Sequence, residues 1–263
     1  MIADWFDEKS LVTAMALMLC GWPMGIAITL GTLGPLAESW GWQPAMYSTA
    51  FVCVIAMAAV WLSYRPPPGG PPPTSGRLVF HVPRRELFMV LYAGFVWMVY
   101  NLAYFSFLSF GPALLLERGM DVTAAGAAIS LASWAALPAL PLGGFLADRT
   151  GRPDLILGVS CVLAAGAAAA LPLSDRPYLL CAAVGLFAAA PAGMIMGRAI
   201  SLMSPPHRAQ GNAILYTFFY GGMGLIPSVV GWGADITGTA ATPLYFSAIA
   251  LLVSVPLFLV MHA

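Results

Sequence analysis

The stretch GGFLADRTGRPD, residues 143–154, separates two long apolar runs. Its last seven positions hold four charged side chains, in a chain of 263 residues of which only 8% are charged. A soluble domain has about 25% charged and about 45–50% apolar residues, whereas this chain is 60% apolar. A soluble fold of this size cannot bury so much apolar surface. The composition therefore predicts a protein whose main partner is the lipid bilayer, with residues 143–154 as a loop between two spans.

Eight apolar segments are long enough to be transmembrane helices, each of which needs about 20 residues to cross about 30 Å of hydrocarbon. The segments are residues 11–33, 44–63, 87–110, 123–146, 155–173, 177–198, 211–234 and 241–261. Lipid offers no hydrogen-bond partner to the backbone, which favours helices that satisfy their own polar groups. The predicted fold class is an all-α polytopic membrane protein with about eight transmembrane helices.

The basic residues are distributed unevenly between the two sides that these spans define. Nine of the eleven fall on one side: Lys9, Arg65, Arg77, Arg84, Arg85, Arg149, Arg152, Arg198 and Arg208. The other side receives Arg118 and Arg176, and its first loop is expected at residues 34–44 around Glu38. Loops rich in Lys and Arg stay in the cytoplasm. We therefore expect an integral protein of a bacterial inner membrane, with both termini cytoplasmic.

Several function classes are disfavoured by the sequence. The formal net charge is zero, which gives no reason to expect a nucleic-acid partner. The four cysteines lie in apolar stretches without a CxxC pair, and the three histidines lie far apart outside the spans. The sequence contains no zinc-protease, nucleophile-elbow or phosphate-loop pattern in a usable context. We predict no enzyme activity, no catalytic residue, no cofactor and no metal, and no obligate protein partner is evident.

The longest break between spans is residues 64–86, which hold a run of proline and glycine followed by basic residues. Proline removes a backbone donor and blocks helix interiors, so this stretch predicts a semi-extended linker. It divides the chain into residues 1–63 with two spans, the linker, and residues 87–263 with six spans.

A family resemblance rests on the charged loop. Gly144, Asp148, Arg149, Gly151 and Arg152 match the pattern G-x-x-x-D-R-x-G-R and lie two spans after the linker. This resembles the signature of the major facilitator superfamily, which lies in the cytoplasmic loop between the second and third helices of each six-helix half. The match departs only at its end, where a proline replaces the usual second basic residue. The resemblance implies secondary active transport of a small solute by alternating access, with this loop as a conformational latch.

The resemblance also implies a partial fold. Residues 87–263 resemble a complete C-terminal half, and residues 1–63 resemble the last two helices of an N-terminal half. A complete carrier of this family has twelve helices, so four further spans would precede this chain. The alternative from a different class is a truncated remnant without transport activity, or a membrane interaction partner.

The latch residues have physical roles that do not depend on the family. Gly144 permits close approach of helix backbones, and Gly151 can adopt a left-handed conformation at the turn. Asp148 can face the N-terminus of a neighbouring helix, which favours an anion. Arg149 and Arg152 can pair with carboxylates or carbonyls. The alternative is that these charges only set the topology.

Polar residues within spans are the candidates for a solute cavity, because burying them in lipid costs free energy. Asn101 and Tyr104 are three residues apart and share a helix face, with an interhelical hydrogen bond as the alternative role. Tyr216 and Tyr220 form a stripe that either lines a cavity or packs helices. Arg198 lies toward the inner end of its span, where it either reaches water or binds an anionic solute.

Backbone breaks are the other pointer to a site. Pro191 and Gly193 interrupt the sixth span near its middle, a feature of transporter binding sites and also of simple kinks. In the seventh span, the glycines Gly221, Gly222 and Gly224 before Pro227 favour bending. No carboxylate lies at mid-depth in any span, so the sequence assigns no proton site and no coupling ion.

Overall fold

The computed structural model describes residues 8–65, 83–203 and 207–261, with the side chains at 8–19, 200, 201, 208 and 209 outside the description. Every regular element in these ranges is a helix. The helices are α1 (Glu8–Trp40), α2 (Trp42–Ser63), α3 (Arg84–Glu117), α4 (Val122–Thr150), α5 (Pro153–Ala170), α6 (Pro177–Ala189), α7 (Ala192–Ser201), α8 (Arg208–Thr237) and α9 (Ala241–Val260). Most of the predicted linker, residues 66–82, lies outside the described residues.

The predicted all-α membrane architecture is confirmed. Seven helical stretches in the described residues are long and apolar enough to cross a bilayer, and α1 coincides with the remaining predicted span. Large apolar side chains are exposed on the outside of the bundle, including Phe51, Trp61 and Leu225 at 65%, 81% and 73%. Such an apolar surface is stable only where hydrocarbon replaces water. The exposed surface of the bundle and the apolar composition of the chain therefore both indicate a protein that spans a bilayer.

Several helices extend beyond the predicted span ends, as α3 does to Glu117, and the first predicted loop is affected. The expected loop at residues 34–44 is wrong, because α1 continues through Pro35 to Trp40 and α2 begins at Trp42. Only Gly41 separates the two helices, with a φ of 84° that a side chain would disfavour. The charged residue in this region, Glu38, therefore lies on α1, and the helix sets the direction of its side chain.

The sixth span is interrupted, as Pro191 predicts. α6 ends at Ala189 and α7 begins at Ala192, and the backbone N–H of Ile195 donates to the Pro191 carbonyl at 3.1 Å. The interruption is thus a short break with a resumed helical hydrogen bond. By contrast α8 runs unbroken through Pro227 from Arg208 to Thr237, so the expected bend does not interrupt that helix.

The helices after the linker form one packed unit. α3 packs against α8 and α9, α9 against α5, α5 against α6, and α6 against α4. The main buried cluster lies inside this ring and includes Phe107, Ile129, Leu157 and Leu251. α1 packs along α4, and α2 packs on α1 with only Ala45 of its side chains buried. The α1–α4 contact therefore joins the part of the chain before the linker to the part after it.

Short loops and polar contacts group the helix ends at two ends of the bundle. One end, named here the Glu38 end, contains Glu38 beside Thr123, Arg118 beside Asp175, and Glu117 beside the start of α9. The other, named the Asp148 end, contains Asp148, the turn that follows it between α4 and α5, and the contact between the Glu86 carboxylate and the His207 ring at 3.1 Å. Arg118 and Arg176, the basic residues predicted on the side with fewer basic residues, lie at the Glu38 end.

Candidate functional site

The loop that carries the charged signature is a tight helix-to-helix turn. α4 ends at Thr150, and Gly151 has a left-handed φ of 63°, which confirms the expectation for this glycine. The Gly151 N–H donates to the Ala147 carbonyl at 3.0 Å and satisfies one of the carbonyls that a helix end leaves open. Pro153 is the first residue of α5, a position that needs no backbone donor. The chain therefore turns here with only two residues, Gly151 and Arg152, between α4 and α5.

The expected close approach at Gly144 is wrong. A Cβ at Gly144 would meet nothing within 4 Å, whereas a Cβ at Gly143 would lie 2.1 Å from the carbonyl oxygen of Ala190. Neighbouring residues point about 100° apart around a helix, so only one of the two glycines faces α6 and the break after it. Gly143 is the residue that lets the backbones touch, and Gly144 lies on the open side of α4.

The charged side chains of the loop lie at the surface. Asp148, Arg149 and Arg152 are exposed, and no described residue forms an ion pair with Asp148. The Arg149 guanidinium lies 5.9 Å from the centre of the Phe145 ring, a cation–π distance. Arg152 occupies the position before α5 without a side-chain cap. The pairing of these groups with carboxylates or a helix N-terminus stays a prediction.

The mid-span polar residues lie on one face of α3. Asn101 is 9% exposed and donates through Nδ2 to the Trp97 carbonyl at 2.8 Å, within its own helix. The Tyr104 hydroxyl is buried, lies close to Ser133 of α4, and has no hydrogen bond to the described residues. The Ser133 hydroxyl and the Trp97 indole nitrogen are likewise buried without a described partner. The Tyr104 and Ser133 hydroxyls lie near each other, and together with the Trp97 N–H they form a small group of buried polar atoms without a described hydrogen bond.

Tyr100, adjacent to this face, behaves differently. Its hydroxyl donates to the carbonyl of Ala188 on α6, one of the last residues before the break. This bond satisfies a carbonyl next to the interrupted segment and ties α3 to α6. Tyr100 is therefore a structural residue, and it provides a matched comparison for Tyr104.

Aromatic rings extend this face toward two other helices. Trp22 of α1 lies 6.4 Å from Tyr104 and 5.0 Å from Phe105, measured between ring centres. On the other side, Trp97 lies 6.2 Å from Phe219 of α8. The predicted pair on α8 belongs to the same cluster: Tyr216 and Tyr220 stack at 6.1 Å, and both contact Phe219. Asn101, Tyr216 and Tyr220 are thus connected through Trp97 and Phe219, whereas the ring contact of Tyr104 is with Trp22.

Arg198 lies apart from this cluster. Its guanidinium donates to the Met261 carbonyl at 3.1 Å, directly after the end of α9. A cation at this position complements the negative end of a helix. The side chain therefore contacts the C-terminal end of α9, and its predicted roles in reaching water or binding an anionic solute stay predictions.

Three residues of this region escaped the sequence analysis. Trp97 precedes Asn101 by four residues and Tyr104 by seven, so helical spacing places it on the same face and could have identified it. Ser133 is one small polar residue in an apolar span, which is common in helix packing. Trp22 comes from a helix before the linker, and no local pattern indicates that it meets Tyr104.

The family model of the Major Facilitator Superfamily matches the chain twice, over residues 1–174 and over residues 96–262. No match to an individual curated protein is found. The two family matches overlap across α4 and the charged loop, and together they extend over nearly the whole chain. With its membrane-spanning helices and the signature loop between α4 and α5, the chain belongs to the Major Facilitator Superfamily, a family of membrane transporters.

Proposed function

We propose that this chain works in secondary active transport of a small solute by alternating access, and that the solute meets the face of α3 that carries Asn101 and Tyr104. The observation that carries the proposal is a group of buried polar atoms without a described hydrogen bond, the Tyr104 hydroxyl and the Trp97 N–H on this face and the Ser133 hydroxyl on the neighbouring α4. A buried hydrogen-bonding group without a partner costs about 1–3 kcal/mol. A solute that supplies donors and acceptors here would recover part of that cost.

The aromatic cluster defines the rest of the proposed site. Trp97, Tyr216 and Tyr220 offer flat apolar faces next to the polar atoms of α3. Aromatic rings bury much apolar area and keep a polar edge available. A solute with an apolar body and one or two hydrogen-bonding groups fits this combination. Binding sites of secondary transporters lie near the midplane between their repeats, and Trp22 of α1 reaches this face from before the linker.

Alternating access requires one end of the route to close while the other opens. In this structure α1 lies against α4 toward the Glu38 end, while the charged loop at the Asp148 end is exposed. We propose that the Asp148 end faces the cytoplasm, in agreement with its arginine-rich loops. In the opposite state Asp148, Arg149 and Arg152 would meet the other half and act as the latch.

The proposal is tested by finding a solute and following its movement. A panel of neutral, cationic and anionic small molecules is first screened for thermal stabilisation of the purified protein, because a ligand that binds the folded state raises its stability. Hits are then measured for uptake into proteoliposomes. Uptake of at least one hit that saturates with concentration supports transport. Failure of every stabilising compound to cross the membrane would favour the transport-inactive alternative.

The substitution Tyr104→Phe separates a role in binding from a role in folding. It deletes a buried hydroxyl that lies close to Ser133 without meeting it in hydrogen-bond geometry, so the melting temperature should change little. If the hydroxyl meets the solute, the apparent affinity should fall about tenfold, the equivalent of about 1.4 kcal/mol. Uptake kinetics and thermal melting are measured on the same preparation.

Tyr100→Phe is the matched control for this prediction. It removes a hydroxyl that donates to the Ala188 carbonyl, so it should lower stability by about 1 kcal/mol and change the affinity much less. Equal effects of the two substitutions on affinity, or a loss of stability in Tyr104→Phe alone, would contradict the assignment of Tyr104 to the solute site.

A further inference from the structure

We infer that Glu38 is a releasable clamp that holds α1 against α4 and closes the Glu38 end of the solute route, an inference that rests on the proposed function. Glu38 is the last charged residue of α1, two positions before the helix ends. Its partner, Thr123, is the second residue of α4. The clamp therefore joins two helix ends that lie on opposite sides of the linker in the sequence.

The carboxylate of Glu38 is held by two hydrogen bonds from a single residue. Oε1 accepts the backbone N–H of Thr123 at 3.1 Å, and Oε2 accepts the Thr123 hydroxyl. The first N–H groups of a helix have no partner within that helix, and the partial positive charge there favours an anion. The unpaired N–H groups and the partial positive charge both attract the carboxylate of Glu38, so the contact is stronger than one neutral hydrogen bond.

These bonds are not needed to form α4. Asp121 already caps the helix, and its side chain accepts the N–H of Ala124 at 2.7 Å. The contribution of Glu38 is therefore made between helices. Because Glu38 is exposed, water can replace its partners when α1 moves, which is a property that a reversible contact requires.

Small residues let the two helices touch below the clamp. A Cβ at Gly126 of α4 would lie 2.7 Å from the Leu30 carbonyl oxygen of α1. A Cβ at Gly34 would lie 3.6 Å from the Val122 carbonyl oxygen, and one at Gly31 would lie 3.8 Å from the Ser130 hydroxyl. Flat surfaces of this kind contain few interlocking side chains, so they can separate and meet again without repacking.

The close backbone approaches of α1 to α4 given above lie toward the Glu38 end of α1, at Leu30 and Gly34. Earlier in the helix, Gly21 and Gly25 have open space within 4 Å of where a Cβ would stand. On α4, Leu142, Phe145 and Leu146 toward the Asp148 end are exposed. Close backbone contact at Leu30 and Gly34, next to the Glu38 hydrogen bonds, is the arrangement expected of a route closed at the Glu38 end.

The chain offers a matched comparison in Glu117. Its two carboxylate oxygens accept the backbone N–H of Ala240 at 3.2 Å each, next to the start of α9. As at Glu38, an exposed glutamate lies at the N-terminus of a neighbouring helix. Here, however, both helices, α3 and α9, belong to the unit after the linker. A change at Glu117 should therefore affect packing within that unit and leave the α1–α4 contact closed.

The test measures opening at Ser130, which is 5% exposed and faces Gly31 across the contact. Ser130→Cys is introduced after Cys20, Cys53, Cys161 and Cys181 have been replaced, and its reaction with a membrane-impermeant maleimide from the Glu38 face is timed. Glu38→Ala should raise the rate about tenfold or more, the range for hydrogen bonds to a charged group. Glu38→Gln, which keeps one acceptor, should give an intermediate rate.

Glu117→Ala is expected to leave the Ser130→Cys rate within about twofold of the parent, since contacts far apart act independently. Equal rates in Glu38→Ala and the parent would overturn the inference, as would equal increases in Glu38→Ala and Glu117→Ala. Uptake by the same variants distinguishes the two proposals: faster labelling without any solute movement would retain the clamp and reject transport.

Discussion

Gly185→Ala is expected to lower the thermal stability of the purified protein by roughly 5–10 °C, or to prevent its accumulation. A Cβ at this position would lie 1.9 Å from the carbonyl oxygen of Ala132, and the atom it meets is backbone. Without a hydrophobic effect between helices in lipid, close packing of small residues is what holds them together. Overpacking costs about 1–3 kcal/mol or more, and each kcal/mol corresponds to about 2–4 °C in a chain of this size.

The measurement uses the chain's own buried thiols. Cys161 and Cys181 are fully buried, whereas Cys20 and Cys53 are more accessible and are replaced by serine. A thiol-reactive dye then reports unfolding as the buried pair becomes exposed. Gly166→Ala on α5 is the control, because a Cβ there meets nothing within 4 Å and alanine is the better helix former by about 1 kcal/mol. A similar melting temperature for the two variants would show that α4 and α6 do not pack this closely.

Asp148→Asn is expected to reduce uptake about tenfold or more while membrane insertion and melting stay unchanged. Asp148 is exposed and no described residue forms an ion pair with it, so the folded state shown here gains little from its charge. A transport defect would therefore reflect a contact made in another state of the cycle. Hydrogen bonds to charged groups contribute about 1.5–3 kcal/mol, which corresponds to about ten- to a hundredfold in a conformational equilibrium.

Asp235→Asn is the control for this prediction. Asp235 is an exposed carboxylate near the end of α8, toward the Glu38 end. It carries the same charge at the same kind of helix end without belonging to the signature loop. Unchanged uptake in Asp148→Asn would reject the latch, and equal losses in both variants would indicate a general effect of surface charge.

The sequence predicts those features of the fold that depend on composition and backbone chemistry. Long apolar segments become helices because lipid leaves the backbone no other partner. Gly151 takes the left-handed turn conformation, and the break in the sixth span falls at Ala190 and Pro191. In each case the residue type restricts the backbone, whatever the helices pack against.

Features that depend on which face of a helix meets a neighbour were not predictable in the same way. Gly143 and Gly144 are equivalent in sequence, yet only Gly143 faces α6. The sequence predicts Glu38 in a loop, but α1 continues past Gly34 and Pro35 to Trp40. The contact of Trp22 with Tyr104 joins residues from either side of the linker. These three features depend on how the helices pack against one another, which no local sequence pattern specifies.

The most direct test of alternating access asks from which face of the membrane the α3 site can be reached. Asn101→Cys is placed in a chain without other cysteines and treated with an impermeant thiol reagent in vesicles of each orientation. The account predicts reaction from both faces, with Glu38→Ala raising the rate from the Glu38 face and lowering it from the Asp148 face. Reaction from one face only would contradict alternating access. Rates that Glu38→Ala leaves unchanged at both faces would also contradict it.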